Sequence, residues 1–89
     1  MFYVYVLKSK KDGSIYVGCT NDLKRRFEEH NLAKNRSTKH KIPFQLIYYE
    51  AYASKADAKY RESQLKRHSG AMIHLKGRMK NSLGQNTSM

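Results

Sequence analysis

The sequence has no tryptophan, one proline and one cysteine in 89 residues, and it is short of acid. Seven Asp and Glu stand against eighteen Lys and Arg, for a formal net charge of +11. The lone Cys19 excludes an internal disulfide. No Cys/His cluster has zinc-ligand spacing either, so both usual staples of small folds are excluded and stability must come from packing. A chain of this length has room for one domain, which buries only roughly 60–65% of its unfolded surface. Long hydrophobic runs are also missing. Phe2-Tyr3-Val4-Tyr5-Val6-Leu7 is stopped at Lys8, far short of the ~20 residues of a membrane span, and it lacks the basic start and small-residue cleavage site of a signal peptide. No amphipathic helix with a broad apolar face suggests a membrane surface. The expectation is a cytoplasmic protein. The excess of cations raises the free energy of the compact state unless a polyanion neutralises it, so nucleic acid is the expected partner, DNA first, with RNA not excluded. A merely soluble basic protein, or a ribosome-associated one, is the bland alternative.

Two segments, Phe2 to Lys8 and Ser14 to Thr20, are rich in β-branched and aromatic residues and flank an Asp12-Gly13 turn signal, which predicts an antiparallel hairpin. The two-residue period puts Tyr3, Tyr5 and Leu7 on one face, and Tyr16 and Gly18 on one face of the partner. A turn centred near Lys10-Lys11 sets Tyr5 opposite Tyr16; a turn centred on Asp12-Gly13 slips that register. Asn21 is expected to cap a helix from Asp22 to about Leu32, with Leu23 and Phe27 as its apolar stripe and Arg26 and His30 on the flank of that stripe. Ala33 to Pro43, with Lys34, Arg36, Lys39, His40 and Lys41, reads as a cationic loop able to grip phosphates. Phe44 to Tyr52 reads as a third strand. Ser54-Lys55-Ala56-Asp57 starts a second helix, capping-box fashion, that runs to about His68. On it Ala58, Glu62 and Leu65 fall in the inward stripe, where a carboxylate is costly to bury unpaired. Met72, Ile73 and Leu75 suggest a short C-terminal helix. Residues 1–80 form the expected domain, and residues 81–89 have the composition of a flexible tail.

These readings bring together groups that phosphodiester hydrolysis requires: Tyr5, Tyr16-Val17-Gly18, Arg26, His30 and Glu62. With the run Cys19-Thr20-Asn21-Asp22-Leu23-Lys24-Arg25-Arg26, the pair Glu29-His30 and the segment Arg61-Glu62-Ser63-Gln64-Leu65-Lys66, the chain resembles the GIY-YIG nuclease family. It is similar to the small stand-alone branch that is like the N-terminal nuclease domain of the excinuclease C protein. The likeness spans roughly Phe2 to Arg67. The first triplet is Tyr3-Val4-Tyr5, without the glycine of the family name; the Tyr5 hydroxyl carries the chemistry and the first position serves the strand.

The resemblance implies a small α/β (α+β) domain with a three-stranded antiparallel sheet flanked by helices, in the order β-β-α-β-α plus a short C-terminal helix. It implies a divalent-metal-dependent endonuclease that hydrolyses DNA phosphodiester bonds in repair or in processing of structured DNA. Glu62 would hold one Mg²⁺ or Mn²⁺, an ion that takes oxygen ligands and keeps several waters while touching phosphate. Tyr5 and Tyr16 would bracket the attacking water, one of them as general base with help from a nearby cation; which one stays open. Arg26 would bind the scissile phosphate through its planar fork, and His30 would relay a proton or orient a tyrosine. Gly18, with no side chain, would let substrate or a neighbouring ring approach the strand. Arg25, Lys39, His40 and Lys66 are the further candidate substrate contacts.

Each residue has a bland reading when taken alone. Hairpin tyrosines pack, a histidine near a helix end complements the dipole, an arginine is solvated, and Glu62 pairs with Arg61 or Lys66. Tyr48, Tyr49 and Tyr52 read as strand and packing residues. A different class of function keeps the fold and the basic loop as a nucleic-acid-binding module without useful turnover; an accessory nuclease delivered by a protein partner is a third. Intrinsic sequence specificity is expected to be low, since phosphate contacts position but do not specify.

Overall fold

The computed structural model describes residues 1–67 and 70–84. Strands β1 (Phe2–Ser9), β2 (Ile15–Thr20) and β3 (Phe44–Tyr52) form one antiparallel sheet in the order β2-β1-β3. Helix α1 (Leu23–Asn31) follows β2, and α2 (Lys55–Lys66), α3 (Gly70–Arg78) and α4 (Lys80–Gly84) follow β3. This is the α+β architecture and element order expected from the sequence.

The two-residue period divides the molecule into two layers. Val4 and Val6 of β1 with Val17 of β2 pack against Ala58, Leu65, Met72, Leu75 and Met79 on one face. Tyr5 and Leu7 with Phe44 pack on the other, where Tyr16, Leu23, Phe27 and Leu46 join them. Helix α1 thus covers one face and α2 to α4 the opposite one. The hairpin register is Tyr5 opposite Gly18 and Leu7 opposite Tyr16, not Tyr5 opposite Tyr16. The cause is a four-residue loop, closed by Ser9 N–H donating to Ser14 O at 2.9 Å, with Gly13 at φ 77° where only glycine sits without strain. The slip is by two residues, so every side chain keeps its face.

Other boundaries shift for local reasons. Asp22, not Asn21, caps α1: its carboxylate accepts the Arg25 N–H at 3.2 Å, so the helix begins at Leu23. Helix α1 ends in a Schellman motif, with Lys34 N–H on Glu29 O, Ala33 N–H on His30 O and Ala33 at φ 62°. No glycine marks that stop. Ser54 caps α2 through the Asp57 N–H as expected. Helix α2 ends at Lys66 with Arg67 as its cap, and His68 lies outside the described residues. Residues 81–84, expected within the tail, are helical. Leu83 packs on the larger core, and its carbonyl accepts from Lys8 Nζ at 2.6 Å. Residues 85–89 lie outside the described residues.

The cationic segment after α1 is tied at both ends. Asn31 mimics a strand partner: its Oδ1 accepts Phe44 N–H at 2.6 Å and its Nδ2 donates to Phe44 O at 3.2 Å. Buried Ser9 donates to Lys41 O at 2.6 Å, and Lys41 Nζ reaches Asp12 and Ser14 in the hairpin loop. One turn of 3-10 helix, Lys39–Lys41, interrupts what composition alone reads as loop.

Candidate active site

The sheet face under α1 collects Tyr5, Tyr16, Gly18, Arg26 and His30. Tyr5 and His30 come together because β1 runs through the middle of the sheet and His30 lies one turn beyond Arg26 on the helix that crosses it. Both are buried, at 2% and 0% exposure. Tyr5 Oη and His30 Nε2 share a hydrogen bond at 3.0 Å. His30 Nδ1 shares another with Thr38 Oγ1 at 2.9 Å, and the Thr38 hydroxyl donates to the Asn35 carbonyl at 3.5 Å. His30 is therefore a core residue with both nitrogens engaged, not the surface dipole partner that its place near a helix end allows.

Gly18 has its reason in the same cluster. A Cβ built there falls inside the Tyr5 hydroxyl and ring, so the bare backbone is what admits Tyr5. The ring that approaches Gly18 is the neighbouring tyrosine. Tyr16 lies beside it, half-buried, edge-on to His30 with ring centroids 5.0 Å apart.

Arg26 is 31% exposed and donates to Glu29 Oε1 at 3.1 Å. Its guanidinium also lies against the Tyr5 oxygen, without closing a well-angled hydrogen bond. Burial pushes the Tyr5 pKa up to about 12; Arg26 pulls it back, and the charges of Tyr16 and Glu62 add to the rise. Burial lowers the His30 pKa, and Arg26 lowers it further against the opposing charge of Glu29. The resting cluster is a neutral phenol on a neutral imidazole beside a permanent cation.

Glu62 comes from the opposite layer. Ala58 and Leu65 of its helix are buried, and the Glu62 side chain is 14% exposed. Lys66 Nζ lies 2.9 Å from one of its oxygens and Lys59 Nζ 3.6 Å from the other, which offsets the cost of its position. Its charge couples to Tyr5 and to Cys19, the latter on the sheet face that α2 covers. Among the described residues no group of three or more His, Cys, Asp or Glu could hold a metal ion. A lone carboxylate does not make a closed cage of the structural-zinc kind. It does fit an ion of the Mg²⁺ type, which binds through one or two carboxylates and fills its other positions with water and phosphate oxygens.

The remaining candidates lie around this centre. Arg25 is exposed and ion-paired to Asp22 and Glu29 on the outside of α1. Lys39 and His40 are exposed on the 3-10 turn. Lys66 is drawn onto Glu62.

Two constellations escaped the sequence reading. Thr38 is one, because a loop has no periodicity to reveal a buried hydroxyl. Glu50 is the other. Its carboxylate accepts Tyr48 Oη at 2.5 Å, Tyr52 Oη at 2.6 Å and a two-nitrogen fork from Arg61, with Nε and Nη2 each 2.9 Å from one oxygen. The signal was available: Tyr48, Glu50 and Tyr52 alternate onto the face of Val4 and Val6, where a carboxylate needs a partner. Arg61 is that partner, and it precedes Glu62 in the chain.

The profile of the GIY-YIG catalytic domain matches residues 1–81 of the chain. A UPF0213 protein of Streptococcus pneumoniae is 44% identical over 66 residues, 73% of this chain and 66% of that protein. One of Bacillus pumilus is 43% identical over 65 residues, 72% of this chain and 65% of that protein. The chain thus spans just under two thirds of the length of these curated relatives. Among solved structures, the solution NMR structure of a UPF0213 protein from Bacillus halodurans matches with a TM-score of 0.52 at 37% identity, over 86% of this chain and 87% of that one.

Proposed function

Since the chain belongs to the GIY-YIG family of nuclease catalytic domains, we propose that it is a divalent-metal-dependent endonuclease that hydrolyses DNA phosphodiester bonds. The observation that carries this reading is the buried Tyr5–His30 pair with Arg26 and Tyr16 around it on one sheet face. Tyr5, committed to His30 and shut from solvent, sets the geometry. Tyr16 is the half-buried tyrosine, and no hydrogen bond engages its hydroxyl among the described residues, so it gives its own proton to solvent, meets the attacking water as the phenolate and takes the water's proton. Arg26, whose charge faces both tyrosines, stabilises the phenolate present before attack and holds the phosphate with its fork. Mg²⁺ or Mn²⁺ on Glu62, when bound, supplies charge stabilisation to the phosphate oxygens. The net charge of +11 draws the polyanion in, and we assign Lys66, Lys39 and His40 to contacts with its backbone. Repair or processing of structured DNA is the setting we assign.

Cleavage of supercoiled, single-stranded, flap and branched DNA with Mg²⁺ or Mn²⁺ against EDTA, with Glu62→Ala alongside, tests the proposal. Metal-dependent cutting that disappears in Glu62→Ala, with salt-sensitive binding kept, is the expected result. The two lysines on Glu62 favour a second reading, a binding module without turnover. Intact binding with no cutting of any of these substrates would select it.

A further inference from the structure

The proton directions in the row Tyr5–His30–Thr38 are fixed by what stands at its ends. His30 is 0% exposed, so water serves neither nitrogen. A neutral imidazole carries one N–H, and of its bonds to Tyr5 at 3.0 Å and to Thr38 at 2.9 Å it donates one and accepts the other. In one pattern Nε2–H donates to the Tyr5 oxygen and the phenolic proton turns outward. That sets a proton against Arg26, a cation with donors and no acceptor. In the other pattern Nδ1–H donates to Thr38 Oγ1, the Tyr5 O–H donates to Nε2, and the phenol turns its lone pairs to Arg26. The Thr38 end agrees, because its own proton has the Asn35 carbonyl at 3.5 Å, a group that only accepts.

Resting on the nuclease reading above, we propose that Thr38 is a positioning residue: by accepting Nδ1–H it holds His30 in the tautomer that draws the Tyr5 proton inward, so that the Tyr5 lone pairs seat Arg26 for the phosphate. The groups facing His30 are Tyr5 from β1, Tyr16 from β2, Phe44 from β3, Arg26 and Glu29 from its own helix, and Thr38. Of these, Thr38 is the one hydrogen-bonded to Nδ1, at 2.9 Å. Thr38 also lies within the cationic segment that carries Lys34, Arg36, Lys39 and Lys41. One directed row therefore joins the phosphate-gripping loop to the phosphate-binding arginine.

The test measures ¹⁵N shifts of the His30 ring in the full chain above its titration range, beside metal-dependent cleavage, for wild type, Thr38→Val and Thr38→Ser. Wild type is expected to show the Nδ1–H form. Thr38→Val should lose that form and drop kcat on the order of 10- to 100-fold with a smaller change in KM, the scale of a misplaced catalytic group. Thr38→Ser should restore both. An Nε2–H tautomer in wild type overturns the proposal, and so does a Thr38→Val protein that keeps both tautomer and kcat. Should Thr38→Val fail to fold, the wild-type tautomer and the Thr38→Ser rate decide alone. A wild type that shows the Nδ1–H form but cuts nothing refutes the nuclease reading and leaves the tautomer assignment standing.

Discussion

Replacing Glu50 with alanine removes the acceptor of two phenols and of the Arg61 fork, and leaves Arg61 as a cation without its counter-charge. The pair is sheltered, with side-chain exposures of 16% for Glu50 and 25% for Arg61. Breaking a buried pair from one side costs about 3–5 kcal/mol, whereas an exposed pair is worth at most about 1 kcal/mol. A domain of this size has roughly 4–13 kcal/mol in total, so the substitution consumes a large share of it. Urea unfolding at pH 7 reads the loss. With a slope of about 1 kcal/mol/M, the midpoint should fall by about 3 M or the protein should be unfolded without denaturant. Glu50→Leu with Arg61→Leu should recover much of the loss, because no charge is then stranded. A fall of less than about 1 M in Glu50→Ala would show that solvent screens the cluster as it does a surface pair, and the argument from burial would be wrong.

Gly18→Ala puts a methyl group inside the Tyr5 ring position; it should cost about 1–3 kcal/mol and reduce cleavage, and retained activity at wild-type stability would show that Tyr5 need not sit where it does. Acid should weaken the fold in two stages. His30 has a folded pKa below its ordinary 6.5, so the unfolded chain takes up the proton first. Stability is lost as pH falls through 6.5 and levels off below the folded pKa. Glu50 has a folded pKa below 4.5, so its contribution is present above 4.5 and lost as pH falls through the folded value. Thermal melting against pH should show both stages in wild type, with the lower one reduced to the share of Asp12, whose pKa is also lowered, in a Glu50→Gln protein that still folds.

The strands and helices were readable because each has a period. Alternation in Phe2 to Lys8 and in Phe44 to Tyr52 assigned the sheet faces, and a register error of two residues left those faces intact. Helix α1 was harder at its ends: Asn21 and Asp22 are both good caps, and the stop at Ala33 carries no glycine. Family resemblance supplied the set Tyr5, Tyr16, Arg26, His30 and Glu62; periodicity alone placed His30 on the flank of a helix. What no local pattern could give was the company these residues keep. His30 finds Thr38 eight positions on, in a loop, and Glu50 finds Arg61 eleven positions on, across from strand to helix. Such pairs are fixed by how the layers close.

The two faces of the sheet are unequal. The buried core under α2 to α4 is the aliphatic side, built from Val4, Val6, Val17, Ala58, Leu65, Met72, Leu75 and Met79, with the Glu50–Arg61 network on its flank. The layer under α1 buries a phenol, an imidazole and a hydroxyl beside a thin apolar cluster. Helix α1 is held to the sheet by hydrogen bonds from His30 and Asn31 beside the packing of Leu23 and Phe27, and the molecule divides its labour: the larger core secures the chain so that the α1 side can carry buried polar groups. In a mutational scan the two sides should register differently, the aliphatic side as lost protein in the cell and the α1 side as protein that is made but idle. Glu62 is the exception, a residue of the first side whose loss reads like the second.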